Sequence, residues 1–147
     1  MERSLIEKLE PMLFHIKLTC TTPMCVRIGE PIAMHITRLA DGKLAAELEV
    51  TNPFVEEGLE HVSIHLPRTV GRLLTLENVT EICAVDEFPS TGGCMLDGYS
   101  FDMEIAIEGG THEYSFPEVD AESYPLTKAL TDLYIKIMDK GYDKYRI

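Results

Sequence analysis

Residues 97–117, DGYSFDMEIAIEGGTHEYSFP, constrain the fold more than any other stretch of this chain. Tyr99, Phe101, Met103, Ile105 and Ile107 recur at every second position, with Ser100, Asp102, Glu104, Ala106 and Glu108 between them. That period of two, in residues that favour a pleated surface, specifies a strand with one dry and one wet face. Gly109-Gly110 follows, and two adjacent glycines supply the positive φ of a tight two-residue hairpin loop. Folding there predicts Ile107 opposite His112, Ile105 opposite Tyr114 and Met103 opposite Phe116. The opposite face then carries Asp102, Glu104, Glu108 and Glu113. A one-residue slip would exchange the two faces, so the register is tightly specified.

A sheet with one dry face needs a cover, and the C-terminus supplies it. Pro125 suits the first turn of a helix, and Leu126, Ala129, Leu130, Leu133 and Ile137 fall on one side of it. Lys136 and Lys140 favour the C-terminal end of the helix dipole, and Gly141 is a natural stop. This helix is expected across the apolar face, against Phe101, Ile105 and Tyr114.

Earlier in the chain, Ser4-Leu-Ile-Glu7 fits a capping box for a short N-terminal helix that Pro11 ends. Met12, Phe14, Ile16 and Leu18 alternate with Leu13, His15, Lys17 and Thr19 as a strand does. A helix bent at Pro11 is the competing reading, because Leu5, Leu9, Leu13 and Ile16 also fit helical spacing. Residues 32–38 and 44–50 form a second hairpin. A two-residue Asp41-Gly42 loop would set Ile36 against Glu47, mixing core with solvent. A three-residue loop with Gly42 left-handed sets Ile36 on Ala46, Met34 on Leu48 and Ile32 on Val50, with His35 opposite Glu47 outside. Residues 59–66 read as a further strand, with Val62, Ile64 and Leu66 inward and His61, Ser63 and His65 outward. Residues 67–88 fit neither period. A helix turning into a strand, or two strands joined near Glu77-Asn78, would each serve. The fold class is therefore α+β in a single domain over residues 1–147. An antiparallel sheet of five to seven strands is built from β-hairpins and covered on one face by the C-terminal helix, with the short N-terminal helix at an edge.

Charge is distributed unevenly. Residues 73–127 hold twelve acids and no Lys or Arg, so this stretch equals the whole formal charge of −12. Such a concentration favours cationic partners by electrostatic steering. A chain of pI near 4.7 lacks the basic footprint of a general nucleic-acid binder. No apolar run approaches the roughly 18 residues of a membrane span, and the N-terminus lacks a signal peptide's apolar core. A cytoplasmic location is the resulting expectation.

The residues able to carry chemistry form no recognised motif. Four residues separate Cys20 from Cys25 and ten separate Cys83 from Cys94, and only the first pair loosely meets the spacing of structural zinc ligands. His61 and His65 have helical metal-pair spacing, but on a strand they stand roughly 13 Å apart. There is no nucleophile elbow, phosphate loop or dinucleotide fingerprint. The sequence therefore predicts no catalytic residue, metal or cofactor. It points to a non-enzymatic interaction protein that presents Asp102, Glu104, Glu108 and Glu113 to a basic protein partner, as an inhibitor, immunity protein or chaperone would. The alternative is a small enzyme or metal- or ligand-binding protein using Cys20, Cys25, His61 and His65. An exposed edge strand also leaves room for a homodimer.

Overall fold

The computed structural model describes residues 12–20, 31–52, 54, 58–89 and 99–147. The expected N-terminal helix, Cys25, Cys94 and the loop before the central hairpin lie outside these residues.

Six antiparallel strands make one sheet: β1 (Met12–Cys20), β2 (Pro31–Leu39), β3 (Leu44–Thr51), β4 (Leu59–Ile64), β5 (Ser100–Ile107) and β6 (Gly110–Pro117). Their spatial order is β4-β3-β2-β1-β5-β6. The first four strands meander to one edge. The chain then crosses back and lays the last hairpin against the free side of β1, which thereby becomes a central strand. The crossing segment contains α1 (Arg68–Gly71) and α2 (Leu76–Cys83), and α3 (Pro125–Lys140) follows β6. No helix among the described residues is long and apolar enough to cross a membrane.

The three α-helices among the described residues lie on one side of the sheet. Phe14, Ile16 and Leu18 of β1 are buried beneath them, as are Met34, Ile36, Leu48, Val62 and Ile64 further out. Burying each such side chain is worth roughly 1.5–3 kcal/mol before entropy is counted. Strand alternation decides this arrangement, since one phase of each strand is apolar and can only face the helices.

Residues 67–88, which fit neither period, are helical where they are regular. Pro67 precedes α1, and the Thr75 hydroxyl caps α2 by accepting the Asn78 N–H at 3.1 Å. The Asn78 side chain donates to the Leu73 carbonyl at 2.8 Å and closes the turn between the helices. Only Val79 and Ile82 of α2 are buried, one turn apart, so two apolar residues carry the whole helical signal. Beyond α2, Phe88 stacks on Phe116 at 4.3 Å and meets Tyr114 and Tyr124 edge-on. This aromatic cluster pins the crossing segment under β6.

The central hairpin differs from the expected register by two residues. Glu108 and Gly109 form the turn, and Gly110 is the first residue of β6, paired with Ile107. Ile105 therefore faces His112, Met103 faces Tyr114 and Phe101 faces Phe116. Both glycines use positive φ, +102° at Gly109 and +148° at Gly110, but only the first of them sits in the loop. A shift of two keeps every side chain on its face, which is why alternation alone could not detect it. It changes which acids meet: Glu104 now stands directly opposite Glu113, and Asp102 opposite Ser115.

In the second hairpin, Ile36 pairs with Ala46, Met34 with Leu48 and His35 with Glu47, while Gly42 has φ +94°. A bulge between Pro31 and Ala33 places Pro31, not Ile32, opposite Val50.

Helix α3 starts with Pro125 at its first turn, and the Gly141 N–H ends it by donating to the Ile137 carbonyl at 2.8 Å. Tyr134 meets Phe101 edge-on at 5.8 Å, and its hydroxyl reaches the Pro31 carbonyl. Tyr114 engages α2 instead, its hydroxyl lying 3.0 Å from the Ile82 carbonyl and 2.9 Å from that of Val85. Thr127 and Thr131 are buried with the apolar residues, each hydroxyl donating to main-chain carbonyls one turn or more behind it.

Candidate functional site

With every described helix on one side, the other face of the sheet lies open among the described residues. It is built from the polar phase of each strand. One cross-strand rung spans all six strands: Ser63, Glu47, His35, Lys17, Glu104 and Glu113, each opposite the next.

The half over β1, β5 and β6 is acidic. Lys17, Thr19, Asp102, Glu104, Glu113 and Ser115 line a shallow depression of about 360 Å³. Asp102, Glu104 and Glu113 are all exposed. Ser115 donates to Asp102 at 2.6 Å and fixes that carboxylate. Lys17 stands opposite Glu104 across β1–β5, whereas Glu104 faces another carboxylate on its other side. Like charges directly opposite in a sheet are destabilising. Glu108, the fourth expected acid, is not on this face. It occupies the hairpin turn and borders a groove of about 560 Å³ at the end of the sheet, beside Met12, Leu76 and Ile107.

The half over β1–β4 carries imidazoles. His15 and His35 stack with ring centroids 5.3 Å apart, and His35 Nδ1 lies 3.2 Å from His15 Nε2. His35 Nε2 is 2.6 Å from Glu49, and His61 Nδ1 is 3.0 Å from Glu47. The backbone register sets His35 opposite Glu47 and His61 opposite Glu49, so both side-chain bonds run diagonally. Burial holds the His15 pKa below its usual 6.5, and His35 and Lys17 lower it further against the opposing pull of Glu104. His15 carried no functional expectation from sequence. Its only signal was a place on the polar phase of a strand whose partner was not yet known.

Of the residues of the alternative reading, Cys25 lies outside the described residues, and Cys20 and His61 are not brought together. Cys20 ends β1 and His61 lies on β4, with β2 and β3 between them. His65 follows β4, with its main-chain N–H donating to the Tyr145 carbonyl. Among the described residues, no group of three His, Cys, Asp or Glu side chains is placed to hold a metal ion. Cys83 is half-buried at the end of α2, and burial raises its thiol pKa although the Tyr114 hydroxyl works the other way. A raised pKa makes it a poor nucleophile at neutral pH.

No protein-family model matches the chain, and comparison with curated proteins and with solved structures finds no match.

Proposed function

We propose that this protein is a non-enzymatic interaction module of the cytoplasm, which presents the β5–β6 half of its open sheet face to a basic protein. Its mode of action is that of an inhibitor, immunity protein or chaperone: it occupies a cationic surface of the partner. The observation that carries this reading is the direct opposition of Glu104 and Glu113, with Asp102 beside them, on a face that the described helices leave uncovered. Placing like charges side by side costs the fold a little stability and gains it nothing internally. A bound cation would turn that cost into attraction. Glu108, in the turn, contributes to the long-range field but not to the contact.

The test compares wild type with the Glu104→Lys/Glu113→Lys variant as baits in the native host's lysate. Each captured basic protein is then purified and titrated directly. A partner bound by wild type and lost by the variant supports the reading. A partner bound equally by both shows that the acidic face is only a solvated surface.

A further inference from the structure

We infer that the outer edge of β6 accepts an extended, lysine- or arginine-bearing segment of the partner as a seventh strand of the sheet. This inference rests on the reading that the β5–β6 face binds a basic protein, and it specifies how.

The two edges of the sheet are treated differently. At edge β4 the chain's own C-terminal residues pair with the end of the strand. Ile64 bridges Arg146, the His65 N–H donates to the Tyr145 carbonyl at 2.6 Å, and the Ile147 N–H donates to the Ser63 carbonyl at 3.1 Å. Among the described residues, no such pairing lies along β6, the last strand in the order. In an antiparallel ladder, alternate residues of an edge strand turn their N–H and C=O groups outward, and such a row is a template for strand addition. Natural edges are commonly blunted by bulges or lysines. β6 runs eight residues in unbroken register with β5 and contains neither, its one proline standing at the very end. From below, the strand is held by Tyr114 on α2 and by Phe116 on Phe88. Its edge is therefore pre-organised, and a docking strand would order little of this protein.

Charge selects the occupant. The central rung ends in Glu104 and Glu113, two carboxylates with no cation beyond them among the described residues. A strand added outside β6 would set one of its own side chains next to Glu113, with Cβ atoms roughly 5 Å apart. Lysine or arginine there completes the rung. A second copy of this chain does the opposite, because β6 has no Lys or Arg and is flanked by Glu108 and Glu118. Pairing two β6 edges brings acids against acids.

The test uses the full chain, isotope-labelled, titrated with a short peptide alternating lysine and threonine. Two further peptides carry backbone N-methyl groups, one on the lysines and one on the threonines. Strand addition predicts amide shifts along Thr111, Glu113 and Ser115. It also predicts that one methylated peptide, the one whose blocked N–H groups face β6, binds about tenfold or more weakly while the other is unaffected. Equal binding of all three peptides, sensitive to Glu113→Lys, would overturn the strand but leave the acidic-face reading standing. No binding of any peptide at low salt would remove both.

Discussion

Replacing Glu113 by lysine should stabilise the fold while it weakens the partner. Glu113 stands directly opposite Glu104 across β5–β6, and both side chains are exposed. With the charges about 6 Å apart in water, the repulsion is about 0.7 kcal/mol, and reversing one sign swings this to a similar attraction. Physiological salt, with a Debye length of about 8 Å, removes about half of that swing. Lys17, on the far side of Glu104, would repel the new lysine across two strand spacings, about 9.6 Å, and takes back a further fraction. The expected net gain is about 0.5 kcal/mol, within the range measured for exposed pairs. Urea denaturation at low and high salt measures it. The midpoint should rise without a change in slope, and the gain should shrink as salt is added. A loss of stability, or a gain indifferent to salt, would show that the two carboxylates do not face each other.

Three further outcomes follow from the same geometry. Tyr114→Phe removes the hydroxyl that reaches the Ile82 and Val85 carbonyls and should cost about 1–1.5 kcal/mol by denaturation. In wild type, burial and neighbouring Cys83 push the Tyr114 phenol from 10 up to about 12, so its stabilising contribution is complete below pH 10 and lost as pH rises to 12. A phenol titrating near 10 in the folded protein would refute that placement. His15 is held below 6.5 chiefly by burial, so the unfolded chain takes its proton first. Its contribution is present above pH 6.5 and lost as pH falls through the lower folded value, and an imidazole NMR titration at or above 6.5 would contradict it. Gly109→Ala forces an L-residue to φ +102° and should destabilise by about 1 kcal/mol. By contrast, Gly71→Ala meets only Leu44 Cδ1 at an ordinary 3.8 Å and should be neutral or slightly stabilising. Equal effects at the two glycines would argue against the turn.

The faces of the strands were legible in the sequence because burial follows a period of two, and β1, β4, β5 and β6 each put their apolar phase under the helices. Helix α3 was legible from Pro125, Gly141 and its apolar stripe. Partnership between distant strands was not. Nothing local to Phe14 or Ile105 says that β5 lies against β1, and the cross-sheet rung exists only through that pairing. The central register was misplaced by two because Gly109-Gly110 offers two positive-φ residues and the alternation is blind to even shifts. Buried Thr127 and Thr131 read as polar in sequence, yet Thr127 donates to the Ala121 carbonyl just before the helix and Thr131 to the Thr127 carbonyl within it, so both hydroxyls sit in the core. The three acids of the face were identified from alternation alone, whereas Glu108 moved off it with the register. The His15–His35 stack depended on the β1–β2 pairing and had no local signature.

The most direct test of the central claim is the salt dependence of affinity for the captured basic partner, measured side by side for wild type and Glu104→Lys/Glu113→Lys. The account predicts that wild-type binding weakens steeply as salt rises, and that the variant binds less tightly with a shallower dependence. Identical affinities and slopes for the two proteins would contradict it.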